Sequence, residues 1–182
     1  MARIAIQGIK GSFHDIAAGE YFAQEQADVI CCDTFEALFR QMKADDEVVG
    51  VMAIENTIAG SLLHNYELLR ESGMTIVGEH KLHIEHCLAA LPDDGVSDIH
   101  EVNSHPVALM QCRGYLERHP GMKVVEAYDT AGAAAMIAEQ QLRHHAAICH
   151  KAAAERYGLK VLRESIELSR MSPNTKYCSC GT

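Results

Sequence analysis

The sequence VVGVMAIENT, residues 48–57, consists of an apolar run followed directly by three polar residues. The run from 48 to 54 is far shorter than the roughly 20 apolar residues of a membrane helix and has the length of a buried strand. Glu55, Asn56 and Thr57 then place a carboxylate, an amide and a hydroxyl at the carboxyl end of that strand. In open α/β sheets, ligands bind at this end of the strands. Turn formation accounts for only part of this concentration of polar groups.

Strand-like and helix-like patterns alternate on both sides of this stretch. Phe35, Leu38 and Met42, for example, recur at the spacing of a helix with one buried face. In the first half, the predicted strands lie at 3–6, 29–32 and 48–54, and the predicted helices at 13–26, 35–43 and 62–70. A strand at 74–77 continues as an extended stretch to 91, and a turn follows at 92–95. In the second half, the predicted strands lie at 99–103, 123–127, 146–149 and 160–166, and the predicted helices at 107–118, 131–140 and 151–157.

This alternation predicts an α/β protein with mainly parallel sheets and helices on both of their faces. The two similar halves resemble the two-lobed, type II architecture of periplasmic binding proteins, which has a ligand cleft between its lobes. We expect the first lobe to comprise 1–76 together with 166–182, and the second lobe to comprise 77–165.

The overall composition excludes several classes of protein. Hydrophobic residues make up 48% of the 182 residues, which is enough to bury a core. The formal charge is −9, and no basic stripe interleaved with aromatic residues is present, so nucleic acid is not an expected partner. The first residues read as a buried strand and not as a secretion signal, so we expect a cytoplasmic protein that does not bind membranes.

Cysteine and histidine are frequent but show no arrangement typical of a metal site. The seven cysteines are an odd number without zinc-site or disulfide spacing, and we interpret them as reduced thiols. Cys178 and Cys180 are interpreted as part of a frayed chain end. In a strand, His80 and His86 would share one face while His83 would point to the other, so three ligands on one face are not available. No metal site is predicted.

Hydroxyl side chains follow several of the predicted strands, at Ser12, Ser61, Ser104 and Thr130. Each is a candidate N-cap, whose oxygen accepts a hydrogen bond from the first turn of a helix. Helix N-termini also carry free N–H donors and a partial positive charge, which suit a carboxylate or a phosphate. Two interpretations remain open on these residues alone: structural helix caps, or binding groups for an anionic metabolite.

Five short motifs, in this order along the chain, resemble the catalytic domain of the prephenate dehydratase family. The glycine-rich first turn of the family corresponds to 8–13, with Ile9 where the family has proline. The family's Glu-Asn-Ser corresponds to 55–57, its Ser-His-Pro motif is unchanged at 104–106, and its Ser-Thr-Ala turn corresponds to 129–131. Its final Asn-x-Thr-Arg-Phe motif corresponds to 173–177, where lysine and tyrosine replace arginine and phenylalanine.

This resemblance implies an enzyme of phenylalanine biosynthesis that converts prephenate into phenylpyruvate, water and carbon dioxide without a metal or an organic cofactor. It implies catalytic roles for Thr175, which would hydrogen-bond to the departing hydroxyl, and for Asn56, Thr57 and Gln111. The substrate-binding residues implied in the same way are Ser12, Glu55, Ser61, Ser104, His105, Thr130, Asn174 and Lys176. His105 stands beside Pro106 at a predicted helix start, so we interpret its role as mainly structural.

The resemblance also bears on assembly, regulation and substrate choice. The resemblance suggests a homodimer. Prephenate dehydratases also usually carry a downstream ACT domain that binds phenylalanine. This chain reaches only Thr182, so we expect no ACT domain and no feedback inhibition. Lys176 keeps the positive charge of the family's arginine but lacks its planar two-pronged donor. Three alternatives remain open. The substrate could be arogenate, the chain could be a non-catalytic two-lobed binding module for an anionic metabolite, or it could be a scaffold domain whose helix caps are purely structural.

Overall fold

The computed structural model describes residues 2–23, 27–57, 60–168 and 174–181. The chain forms two compact units, Met1–His83 with Pro173–Thr182, and Ile84–Ser172. The elements in chain order are β1 (Ala2–Gln7), α1 (Phe13–Tyr21), β2 (Ala27–Cys32), α2 (Phe35–Ala44), β3 (Val48–Asn56), β4 (Gly60–Ser61), α3 (Leu63–Ser72), β5 (Thr75–His83), β6 (Cys87–Ala90), a 3-10 helix (Val96–Asp98), β7 (Glu101–Ser104), α4 (Pro106–Gln111), α5 (Arg113–Glu117), β8 (Lys123–Glu126), α6 (Thr130–Gln140), β9 (His145–Cys149), α7 (Lys151–Arg156), β10 (Lys160–Arg163) and β11 (Asn174–Gly181).

The first unit contains a sheet with the strand order β2-β1-β3-β11-β5, and the short β4 pairs with β3. The pairs β1–β2 and β1–β3 are parallel, as the strand–helix alternation predicts. Its core packs α2 against β3 and is built on Leu38, Phe39, Met42 and Met52, each at most 5% exposed. Gly50 in β3 allows this close packing, because a Cβ there would lie 2.5 Å from the Met42 sulfur.

Strand β11 lies inside this sheet, next to the edge strand β5, and runs antiparallel to both of its neighbours, β3 and β5. Cys178 and Cys180 face the core there, at 1% and 0% exposure, and the Cys180 thiol lies 3.6 Å from the Gly50 carbonyl oxygen. The prediction of a frayed chain end is therefore wrong. The strand is fixed by two ladders of backbone hydrogen bonds and by burial of its small side chains.

The second unit contains a sheet with the order β10-β6-β9-β7-β8. The pairs β7–β8 and β7–β9 are parallel, whereas β6–β9 and β6–β10 are antiparallel. Both sheets are thus mixed, and the expectation of mainly parallel sheets has to be corrected. In the first unit the inserted antiparallel strand is β11, which follows the α/β repeats, whereas in the second unit it is β6, which precedes them and lies between β9 and β10. The α/β class itself is confirmed.

The unit boundaries also differ from the predicted ones, 76/77 and 165/166. Strand β5 remains paired with β11 as far as His83, which extends the first unit. Ile166 is 7% exposed and belongs to the core of the second unit, and its N–H donates to the His86 carbonyl oxygen. The connecting segments therefore continue several residues beyond the predicted points before they change unit.

Two predicted helices are shorter than expected. The helix predicted at 13–26 ends at Tyr21, and 24–26 lie outside the described residues. The helix predicted at 107–118 divides at Cys112 into α4 and α5. The Gln111 carbonyl oxygen accepts a hydrogen bond from Leu168 N instead of continuing the helical ladder, and Gly114 leaves room for the Leu168 side chain. Within the described ranges, no helix has both the length and the apolar character needed to cross a membrane.

Candidate active site

The side chains of Thr175 and Asn56 meet across the β3–β11 ladder in the first unit. The two residues are directly opposite each other in the antiparallel register, and Asn56 Nδ2 donates to Thr175 Oγ1 at 2.9 Å. Thr175 is 6% exposed. A hydroxyl has two lone pairs and one proton, so a hydroxyl that accepts from Asn56 can still donate, and Tyr177, which shares a side-chain hydrogen bond with Thr175, is one partner for that proton. The pair therefore presents an oriented, largely desolvated hydroxyl.

Thr57 and Asn174 close the end of the same ladder. Asn174 N donates to Thr57 Oγ1 at 3.0 Å, and Thr57 N donates to the Asn174 carbonyl oxygen at 3.0 Å. These reciprocal bonds hold the start of β11 against the end of β3. The hydroxyl of Thr57 thus holds the backbone of Asn174, the residue before Thr175. The side chain of Asn56 holds the Thr175 hydroxyl itself.

A pocket of about 530 Å³ opens at this place in the first unit. Its walls come from the end of β3, from β4, from β5 and from the start of β11. The lining residues are Glu55, Asn56, Thr57, Gly60, Ser61, Glu79, His80, Lys81, Asn174 and Lys176. Two lysines, two carboxylates, a histidine and several amides and hydroxyls give the pocket a polar lining that suits a small charged molecule.

Lys176 is the charged residue of the final motif, and its Nζ lies 2.8 Å from Glu79 Oε2. The hydrogen bond to Glu79, followed by the charges of Glu79 and Glu55, raises the pKa of Lys176. The ammonium group is therefore protonated at neutral pH. Because the pair is partly exposed to solvent, an incoming anionic group can compete with Glu79 for the lysine at a small cost.

Tyr177 shares a side-chain hydrogen bond with Thr175, and His14 packs against Tyr177. The His14 ring makes edge contacts with Tyr177, at a centroid distance of 5.1 Å, and with Phe35, at 5.5 Å. Its Nε2 accepts a hydrogen bond from Ala53 N at 3.2 Å. Burial lowers the pKa of His14 to about 4, so the ring is neutral at physiological pH. Burial also raises the pKa of Tyr177, and a side-chain hydrogen bond with Thr175 opposes that rise.

Two helix N-caps were predicted in the first unit, and the structure confirms one of them and contradicts the other. Ser12 is the N-cap of α1, and its Oγ accepts a hydrogen bond from Asp15 N at 3.3 Å. Ser61 is not a cap, because α3 begins after Leu62 without a side-chain capping bond. Ser61 instead lies in β4 opposite Glu55, where both residues line the pocket.

The predicted residues of the second unit lie at strand ends and helix starts. His105 is the N-cap of α4, with Nδ1 accepting from Val107 N at 3.2 Å, which confirms its structural role. Ser104 is fully buried, and its hydroxyl donates to the Ile148 carbonyl oxygen at 2.5 Å, so it joins β7 to β9 and is not a cap. Thr130 is not a cap either, since Asp129 Oδ1 accepts from Ala131 N at 2.8 Å. Gln111, at the end of α4, is 3% exposed.

Sequence reasoning missed the contribution of β5 to the pocket. Glu79, His80 and Lys81 all line it, and His80 Nε2 lies 2.8 Å from Glu20 Oε2. The missing information was that β11 inserts between β3 and β5, because only that insertion brings β5 to the motif residues. No local signal in the sequence reports this pairing. His14 could have been found, since it lies one turn before Ala17 on the buried face of α1.

The two units place the protein in the α/β class, and the first unit carries the polar pocket. The substrate-binding domain of a putative molybdenum ABC transporter from Clostridium difficile has the same general fold, with a TM-score of 0.50 and 13% identity over 99% of this chain and 84% of that one. The sequence profile described as prephenate dehydratase matches residues 4–178. The chain belongs to the prephenate dehydratase family.

Two curated relatives support this assignment, and a solved structure shares the fold. Arogenate dehydratase 5 of Arabidopsis thaliana is 38% identical over 91% of this chain and 39% of its own length. The bifunctional chorismate mutase/prephenate dehydratase of Escherichia coli K12 is 36% identical over 97% of this chain and 46% of its own length. The prephenate dehydratase of Arthrobacter aurescens, solved with L-Phe, superposes with a TM-score of 0.89 at 24% identity, over 98% of this chain and 60% of that one. The chain thus spans less than half the length of these two curated relatives.

Proposed function

We propose that this chain is the dehydratase domain that converts prephenate into phenylpyruvate, water and carbon dioxide. The observation that carries the proposal is the Asn56–Thr175 hydrogen bond, because Asn56 also lines a polar pocket that contains Lys81 and Lys176. Membership of the prephenate dehydratase family supports it, as do the relatives named for dehydration of prephenate or arogenate.

The proposed reaction depends on the orientation of the substrate and on a donor for one proton, and it does not need a strong acid or base. The bond between the ring and its carboxylate breaks, and its electron pair enters the ring as carbon dioxide departs. The bond between C4 and its hydroxyl breaks at the opposite side of the ring, and the leaving oxygen takes up a proton to become water. Because the product ring is aromatic, the protein has only to orient the substrate and to stabilise the departing group.

Thr175 is assigned to the leaving hydroxyl in this proposal. A threonine hydroxyl is too weak an acid to be ionised at neutral pH, so it donates a hydrogen bond or relays a proton. Asn56 fixes its oxygen, and Thr57 fixes the backbone of β11 through Asn174. Gln111 is assigned as a further amide donor to the substrate, and Lys176 as the charge partner of a carboxylate.

The remaining predicted residues have supporting roles in the proposal. Ser61 and Glu55 line the pocket beside Asn56, and Ser12 stabilises the start of α1. Ser104 and His105 hold the β7–α4 turn, and Thr130 opens α6. A cytoplasmic location belongs to the proposal as well, and so does a homodimeric assembly, which the family resemblance suggests.

The test incubates the purified chain with prephenate and, in parallel, with arogenate. Phenylpyruvate formed from prephenate is detected by its ultraviolet absorption, and phenylalanine formed from arogenate is measured separately. Faster turnover of prephenate supports the proposal, and faster turnover of arogenate transfers the same chemistry to the amino-acid substrate. If either compound binds, as measured by calorimetry, but neither is converted, the chain is a binding module and the proposed enzyme activity is wrong.

A further inference from the structure

Two buried polar side chains form a contact in the second unit that the proposed mechanism does not yet use. His86 is 1% exposed and Gln111 is 3% exposed, and His86 Nε2 lies 2.6 Å from Gln111 Oε1. His86 precedes β6, whereas Gln111 ends α4, so 25 positions of chain separate them. A polar pair this deeply buried is costly unless its hydrogen bonds are made.

The chemistry of this contact fixes the direction of the hydrogen bond. An amide oxygen can only accept, so the imidazole must carry its proton on Nε2 and donate it. The Gln111 amide nitrogen then keeps its two N–H groups for another partner, and it is itself buried. Among the residues that the structure describes, this nitrogen has no hydrogen-bond partner. An amide held by its oxygen, with its N–H₂ group unused, is prepared to donate to a ligand.

The backbone holds both residues rigidly around this bond. His86 N donates to Glu167 Oε2 at 2.9 Å, and the His86 carbonyl oxygen accepts from Ile166 N at 3.1 Å. Leu168 N donates to the Gln111 carbonyl oxygen at 3.0 Å. A single short segment, 166–168, therefore ties β6 to α4 next to the side-chain contact.

The surroundings of His86 favour a neutral ring with one N–H. Burial lowers the pKa of His86, and the charge of His150 acts in the same direction. The hydrogen bond to Gln111 and the carboxylate of Glu167 raise the pKa of His86, but each effect is smaller than that of burial. A neutral ring donates from one nitrogen only, so its choice of tautomer decides which way the Gln111 amide points.

We infer that His86 is a positioning residue, whose Nε2–H holds Gln111 Oε1 so that the Gln111 amide nitrogen is presented to the substrate. This inference rests on the proposed function, because it assigns the purpose of the orientation to the dehydratase reaction. Without His86 the amide can rotate and present its oxygen, which would repel a carboxylate where its nitrogen would bind one. His86 acts only through Gln111 and does not touch the substrate.

The first test is a double-mutant cycle on turnover of prephenate, with His86→Phe, Gln111→Ala and the double variant. We expect His86→Phe to lower kcat/KM about tenfold, which is the size of one hydrogen bond, and Gln111→Ala to lower it about a hundredfold. The double variant should be no worse than Gln111→Ala, because the effect of His86 passes through Gln111. His86→Gln, which keeps a side-chain N–H in reach of the oxygen, should recover activity to within about threefold.

Tyr115→Phe is the matched control. Tyr115 packs in the same core, is 7% exposed, and its hydroxyl has no partner among the described residues. Its loss should leave kcat/KM unchanged. Wild-type activity in His86→Phe, or a decrease in the double variant equal to the product of the two single decreases, would overturn the inference.

The second test does not depend on activity and uses nitrogen-15 NMR of the wild-type chain. The inference requires that the His86 ring is neutral at pH 7 with its proton on Nε2, and that the side-chain N–H₂ signals of Gln111 move in His86→Phe. A proton on Nδ1 would overturn it. If the wild-type chain does not convert prephenate, the proposed function fails, while the NMR result still decides whether His86 orients Gln111.

Discussion

Replacing His14 by glutamine removes a partly buried titrating group that packs against Tyr177, while keeping a hydrogen-bond acceptor for Ala53 N. Burial lowers the pKa of His14 from 6.5 to about 4. Above pH 6.5 the ring is neutral in both the folded and the unfolded chain. Between pH 6.5 and about 4 only the unfolded chain binds the proton, so acidification favours unfolding, and below about 4 both states are protonated.

The size of this effect follows from the two pKa values. A difference of about 2.5 pH units, at about 1.4 kcal/mol per unit, gives roughly 3 kcal/mol of stability lost between pH 7 and pH 4 because of this one group. The assay is urea unfolding, followed by circular dichroism at half-unit steps across that range. His14→Gln should show a decline in unfolding free energy that is smaller than that of the wild type by about 3 kcal/mol. Identical declines in the two proteins would refute the assignment of a neutral His14.

Two further predictions concern packing and charge. Gly50→Ala should lower the unfolding free energy by about 1–3 kcal/mol, because its Cβ meets the Met42 sulfur at 2.5 Å and Leu38 Cδ2 at 2.9 Å. The control Gly19→Ala, with no atom within 4 Å of the new Cβ, should be neutral or slightly stabilising, and equal thermal shifts in the two variants would contradict the packing argument. Lys176→Met should raise KM for prephenate about tenfold with little change in kcat, whereas Lys176→Arg should not raise it. An unchanged KM in the methionine variant would exclude Lys176 from substrate binding.

The repeating part of the fold is visible in the sequence because its signals are local. Apolar runs such as 48–54 and helical spacing such as that of Phe35, Leu38 and Met42 report burial one element at a time. The observed β3 and α2 agree with them to within two residues. Strand β11 could not be found in this way, because the sequence NTKYCSCG is polar and rich in small residues, and its burial arises only from pairing with β3 and β5.

The candidate site shows the same division. The motifs placed Asn56, Thr57, Asn174 and Thr175 in one set, and the β3–β11 register brings them within hydrogen-bond distance. The predictions of helix N-caps were less successful. Ser104 and Thr130 each stand beside a better acceptor, His105 and Asp129, and the choice between neighbours depends on where the helix begins.

The most direct test of the central claim compares Thr175→Val with Thr175→Ser in the turnover of prephenate. Valine has nearly the shape of threonine but removes the hydroxyl that accepts from Asn56 Nδ2, whereas serine keeps that hydroxyl. We predict that the valine variant remains folded and loses about two to four orders of magnitude in kcat, and that the serine variant retains most of its activity. Wild-type kcat in the valine variant would show that the Thr175 hydroxyl does not assist the leaving group.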